Sequence, residues 1–212
     1  MFRVQREELV NEITKKGIYD LAVIKAIGKI PREKFIDKTM HHLAYKDVAL
    51  PIGYEQTISQ PYTVAFMTQL LEIKISGLKI LEIGTGSGYQ AAILNEMGCE
   101  VYSIERNIDL HNRTARLFDK LGIRVHAKFG DGTIGWAQYA PFDGIIVTAG
   151  SPSVPQKLKE QLAVNGKMVV PVGNKISQKL YLLTKISESE FKSDTIPEFT
   201  FVPLIGREGW QK

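Results

Sequence analysis

From Leu78 onward the chain alternates between short β-rich runs and helical segments, and no other feature restricts its fold so tightly. Residues 79–83, 101–104, 142–147 and 167–170 are short runs rich in apolar and β-branched residues, and the more polar 124–128, ending at Gly130, is read as a strand between them. Between them, 89–97 is Ala-rich and helical, 107–121 is a polar helix, and a short helix follows Pro155. Strands separated by helical crossovers pair in parallel, with the crossovers packed on the sheet. The expectation is an α/β fold: a doubly wound, mostly parallel, Rossmann-like sheet with helices on both faces. Residues 179–186 and 199–205 are expected to add a β-hairpin.

The preceding stretch has another character. Leu9, Val10 and Ile13 mark one or two amphipathic turns ending near Gly17, and Asp20 is placed to cap a helix carrying Leu21, Ile24 and Ile27. Residues 49–53 read as loop, and Pro61 opens a helix through Val64, Met67 and Leu70. The 212 residues therefore divide into a helical and loop arm (1–77), an α/β core (78–175) and a β extension (176–212) of a single domain.

Composition excludes several classes. One cysteine, Cys99, allows no intramolecular disulfide and no multi-cysteine zinc site. No apolar run reaches the roughly 18 residues of a membrane helix, and the N-terminus lacks a signal-peptide core, so a cytoplasmic location is expected. The 27 basic and 23 acidic residues are interspersed, whereas nucleic-acid binders concentrate their excess in a stripe or tail. His41 and His42 have no metal-ligand spacing, and no metal is expected.

Open α/β sheets bind ligands beyond the carboxyl ends of their strands. There the first strand runs into Glu82-Ile83-Gly84-Thr85-Gly86-Ser87-Gly88, where glycines let backbone approach a ligand closely. The spacing is G-x-G-x-G, not the G-x-G-x-x-G of a dinucleotide site, and no P-loop is present. Glu105 follows the second strand, about 20 residues beyond Gly84, where a carboxylate can accept ribose hydroxyls. Asp131, between Gly130 and Gly132, follows the third and could accept from an adenine amino group. Singly, each feature is equally a turn or a helix cap. Together they favour a nucleoside, and the constellation resembles Rossmann-like S-adenosylmethionine-dependent methyltransferases; a nicotinamide-dependent enzyme is the rival.

A closer resemblance covers residues 18–210. Ala44-Tyr45, Asp47, 50–53, Gln56-Thr57-Ile58-Ser59-Gln60-Pro61-Tyr62, 81–92, Ile104-Glu105-Arg106, Gly130-Asp131-Gly132, 140–143, Val170-Pro171-Val172-Gly173, Gln178 and 201–204 resemble the protein-L-isoaspartate O-methyltransferase family. The T-I-S-Q-P segment is the specific part. The resemblance implies methylation of the free α-carboxylate of L-isoaspartyl residues, with S-adenosylmethionine as the only cofactor, monomeric action, and repair through a succinimide. It assigns the active-site role to Ser59. Thr57, Ile58, Ser59, Gln60, Val172 and Gly173 would contact the isoaspartyl protein or peptide. Glu82, Gly84, Thr85, Gly86, Ser87, Gly88, Glu105, Asp131 and Gly132 would hold the cofactor. Glu55 stands where the family usually has glycine, Gly150-Ser151 replaces alanines, and Val164-Asn165-Gly166 replaces a Pro-Gly-Gly-like turn.

The chemistry suits the residues. A carboxylate, with a reference pKa near 4, is already ionised at neutral pH and needs no general base. Ser59 precedes Pro61 at a helix start, where free N–H groups and the helix dipole attract anions. It could equally be only the cap of that helix.

Overall fold

The computed structural model describes residues 2–211, apart from the side chains at 197 and 198. In chain order the elements are α1 (Arg3–Lys15), α2 (Leu21–Lys29), β1 (Leu50–Gly53), β2 (Gln56–Ile58), α3 (Pro61–Leu70), β3 (Lys79–Ile83), α4 (Tyr89–Glu96), β4 (Glu100–Glu105), α5 (Ile108–Leu121), β5 (Val125–Phe129), β6 (Phe142–Val147), α6 (Gln156–Glu160), β7 (Leu162–Gly173), β8 (Gln178–Lys185) and β9 (Phe191–Phe199). A seven-stranded sheet has the order β5-β4-β3-β6-β7-β8-β9. The first five strands in that order pair in parallel, while β8 runs antiparallel to both its neighbours. The mostly parallel, doubly wound sheet is thus as the sequence pattern requires.

Period-two alternation sends strand side chains to two cores. Ile80, Val101, Ile146, Val169 and Leu180 pack with Met67 of α3, Ala91 and Leu94 of α4 and Phe118 of α5. Leu81, Ile83, Tyr102, Ile104, Ile145 and Met168 face the other side, against Leu158 of α6 and the Trp136 and Tyr139 turns. A third cluster joins α1 and α2 to α3 and α4 through Leu9, Ile13, Val23, Ile27, Val64 and Tyr89. The arm therefore packs on the core as part of the same body.

Four local expectations change. Helix α1 spans 13 residues rather than one or two turns, because only Leu9 and Ile13 are buried and the rest of its surface is solvated. The 49–58 stretch is not simply loop: β1 and β2 form an antiparallel hairpin too short to show alternation. Its turn, Tyr54-Glu55, has both residues at positive φ (55° and 58°), the geometry of a type I′ turn, without the Asn-Gly signature. The strand expected at 167–170 begins at Leu162 and takes in the expected Val164-Asn165-Gly166 turn, with Asn165 at a left-handed φ of 66° inside the strand. Finally, β8 pairs with 191–199 rather than 199–205. Residues 203–210 instead cross back to the core. Pro203 bridges to Gly150 and Ile205 to Trp210, and the Trp210 indole N–H donates to the Gly150 carbonyl at 3.1 Å.

Candidate active site

A cleft of about 830 Å³ opens at the carboxyl ends of β3, β4, β5 and β6. Order reverses there: β3 continues to β4 on one side and lies against β6 on the other, the usual place for a ligand in an open sheet. Thr57, Ile58, Ser59, Glu82, Gly84, Thr85, Gly86, Ser87, Glu105, Asp131 and Gly132, all singled out in the sequence, line this one cleft.

The glycine loop is held from behind. Gly84 has a φ of 96°, and a Cβ on it would meet Thr148 Oγ1 at 2.5 Å; Gly132 would meet Ile83 Cγ2 at the same distance. Both positions leave no room for a side chain. Glu105 accepts the Gly86 N–H on Oε2 and the Asn107 N–H on Oε1, each at 2.8 Å. A carboxylate oxygen has two lone pairs, so one acceptor site per oxygen is left for a diol. Asp131 is more heavily used: Oδ1 accepts from the Thr133 N–H and hydroxyl (2.9 and 2.7 Å), and Oδ2 from the Arg207 N–H at 2.8 Å. Burial opposes its charge, but those donors outweigh it and hold the carboxyl below the usual range. Its capacity for a further partner is confined to Oδ2.

Glu82 lies wholly buried under the loop. Ser103 donates to Oε2, the Ser103 and Thr85 hydroxyls are 2.5 Å apart, and Oε1 has no partner among the described residues. Burial, assisted by the nearby Glu105 charge, pushes its pKa up to about 8. An unpartnered buried oxygen beside glycine cradles that a Cβ would fill, with a carboxylate at the next strand end, fits a nucleoside carrying an amino acid-like tail.

Four expected residues lie outside the lining. A Cβ on Gly88 would meet Phe118 and Thr114 within 2.6 Å, so its bareness serves α5 packing. Gln60 turns its amide to Asp47 Oδ2 at 2.9 Å. Val172 and Gly173 form the end of β7, where the Gly173 N–H donates to the Ser151 carbonyl.

The start of α3 also differs from the sequence reading. Its N-cap is Gln60, not Ser59, and no cap side chain bonds the helix. The Tyr62 N–H is taken at 2.7 Å by Asp47 Oδ1, whose other oxygen meets Lys16 at 2.7 Å. The helix end therefore already has its anion. Sequence reasoning missed Asp47 in this role, and Arg32 altogether. Arg32 is fully buried and donates to the carbonyls of Ala44 (2.7 Å), Val48 and Ser59 (3.0 Å each). Partners 12 to 27 residues away leave no local pattern to find.

Glycine loop, strand-end carboxylate and the cleft at the switch point define a Rossmann-like methyltransferase fold. The chain belongs to the protein-L-isoaspartate(D-aspartate) O-methyltransferase family, whose model matches residues 4–209. A protein-L-isoaspartate O-methyltransferase of Pelodictyon phaeoclathratiforme is 50% identical over 206 residues, 97% of this chain and 93% of its own. One from Flavobacterium psychrophilum is 51% identical over 201 residues, 94% and 93% of the two chains. A solved protein-L-isoaspartate O-methyltransferase superposes with a TM-score of 0.88 at 31% identity, over 96% of this chain and 67% of its own. A Plasmodium falciparum structure titled as a member of the same family, in complex with S-adenosyl-L-homocysteine, gives 0.80 at 25% identity, over 94% and 98%.

Proposed function

We infer that this protein transfers a methyl group from S-adenosylmethionine to the free α-carboxylate of L-isoaspartyl residues in damaged proteins and peptides. The observation that carries this reading is the sharing of one cleft by the 57–59 segment and the glycine loops. When bound, S-adenosylmethionine supplies an electrophilic methyl on a positively charged sulfur. Gly84, Thr85, Gly86, Ser87 and Gly132 give it close backbone approach, Glu105 accepts its ribose hydroxyls, and Glu82 lies below the loop. Gly88 supports that loop from outside the cleft, and Asp131 offers its remaining Oδ2 lone pair.

Ser59 orients the substrate carboxylate with a hydroxyl that is not committed to the helix. Thr57 and Ile58 line its approach, Gln60 is fixed by Asp47 behind it, and Val172 and Gly173 offer strand-end backbone to an extended peptide. The carboxylate arrives ionised and needs only to be held and kept from water. Its methyl ester then closes on the following backbone nitrogen, releasing methanol and leaving a succinimide that water reopens in part to aspartate. The protein acts as a monomer, as one domain whose arm supplies the substrate side, in the cytoplasm; no helix among the described residues is long and apolar enough to cross a membrane.

The test is transfer of labelled methyl to an isoaspartyl peptide beside its aspartyl twin. Label is expected in the first and not in the second. Equal labelling of both, or of neither, would refute the assignment.

A further inference from the structure

Arg106, the one Lys or Arg in the cleft lining among the described residues, follows Glu105 on the sheet side, and the Ser59 side has none. An isoaspartyl α-carboxylate must settle beside Ser59, yet the nearest helix start is already occupied by Asp47, and Asp47 is neutralised by Lys16. Arg6 of the arm lies 3.8 Å from Glu33. Arg32 is different. Its side chain forms no salt bridge among the described residues, its Nε has no hydrogen-bond partner, and it is 0% exposed. Its guanidinium spans three backbone carbonyls, Ser59's among them, and sits 5.7 Å from the centre of the Tyr89 ring, itself a wall of the cleft. Burial lowers its pKa, the nearby Tyr89, Asp47 and Tyr45 oppose that without a salt bridge, and an arginine has so high a starting value that it stays charged.

We propose that Arg32 is a positioning residue with two roles: its fork fixes the 44–48 turn against Ser59, and its charge, held in no salt bridge, draws the substrate carboxylate to that serine. The proposal rests on the carboxyl-methylation reading above. A buried charge acts through low-dielectric surroundings and is weakly screened by salt. Its effect on the reaction has a definite direction. The carboxylate loses its negative charge as its oxygen bonds to the methyl carbon, so a fixed positive charge favours the bound substrate more than the transition state. Losing an interaction stronger in the ground state raises KM and leaves kcat unchanged or somewhat higher.

The discriminating pair is Arg32→Gln, which removes the charge, and Arg32→Lys, which keeps a positive head group but replaces the fork with one ammonium of three N–H donors. Binding of an isoaspartyl peptide to enzyme saturated with S-adenosylhomocysteine is followed by calorimetry, alongside steady-state kinetics and thermal melts. Arg32→Gln is expected to weaken peptide binding and raise KM on the order of 10-fold, with S-adenosylhomocysteine affinity within about twofold of the parent. Arg32→Lys is expected to hold both peptide values within about threefold. Equal losses in the two variants, or a matching fall in S-adenosylhomocysteine affinity, would reduce Arg32 to a packing residue. Should Arg32→Gln not fold, Arg32→Lys alone decides: a folded variant with 10-fold weaker peptide binding overturns the proposal. A parent enzyme that labels no isoaspartyl peptide would instead refute the activity itself.

Discussion

The two sides of the cleft are built in opposite ways. On the sheet side, β3, β4, β5 and β6 are locked in a parallel ladder, and the loops above them depend on missing side chains: Gly84 and Gly132 are bare because Thr148 and Ile83 fill the space behind. On the arm side a hairpin of four- and three-residue strands carries the lip, and side chains hold it from a distance. Arg32 grips the Ser59 carbonyl, and Asp47 holds Gln60 and the Tyr62 N–H. Backbone pairing makes the first side tolerant of composition but intolerant of any added atom. Side-chain anchoring makes the second side adjustable, one residue at a time. The cofactor is the same in every turnover and the peptide is not, which suits that division.

Adding one methyl group to the sheet side should cause the largest loss. Gly84→Ala demands a left-handed φ of 96° from alanine and drives a Cβ into Thr148, whose hydroxyl already meets the Ile83 and Gly84 carbonyls. Left-handed strain and overpacking together cost about 2–5 kcal/mol of stability. S-adenosylmethionine binding, read by calorimetry, should disappear into the baseline. Retained affinity would show that the loop yields, and the contrast between the two sides would fail.

On the arm side the effect of Ser59→Ala should be smaller and confined to substrate. Methyl transfer is expected to fall by on the order of 10- to 100-fold, equivalent to about 1.4–2.7 kcal/mol, with S-adenosylmethionine affinity unchanged. Full activity in this variant would remove Ser59 from substrate orientation, since the structure has already freed it from capping α3.

The smallest effect sharpens the comparison from the other direction. Glu55 is exposed at the cleft mouth with a φ of 58°, a conformation costing a non-glycine residue on the order of 1 kcal/mol. Glu55→Gly should raise the melting temperature by about 2 °C and leave methyl transfer within a few-fold. A large drop in activity would mean that the carboxylate itself takes part in choosing peptides.

The same division decided what could be read in advance. Strands β3, β4 and β6 and the three strand-end loops were legible because each strand is a short continuous buried run and the candidate residues follow it directly in sequence. The hairpin was not, because its strands are too short for alternation and Tyr54-Glu55 lacks turn chemistry. Nor could Asp47 be seen to displace Ser59 as the partner of α3: a carboxylate 15 residues upstream of Tyr62 obeys no capping rule. The hairpin after β8 was misplaced because 199–205 is apolar for another reason. Phe201 and Leu204 are buried against the core rather than paired in a ladder.

That last segment puts a clock on the molecule. Asp131 is held by Arg207, 76 residues later, and Thr133 by Glu208. Gly206 lies so close that a Cβ would meet Asp131 Oδ1 at 2.2 Å. At a ribosomal rate of about 5–20 residues per second, those 76 residues take roughly 4–15 s to appear. Throughout that interval the nascent chain already carries its glycine loop, Glu105 and Ser59, and the Asp131 turn has its local bonds to Thr133 but not the Arg207 N–H on Oδ2. The bond that occupies Oδ2 of Asp131 therefore forms only after Arg207 has been made, long after the strand that carries Asp131.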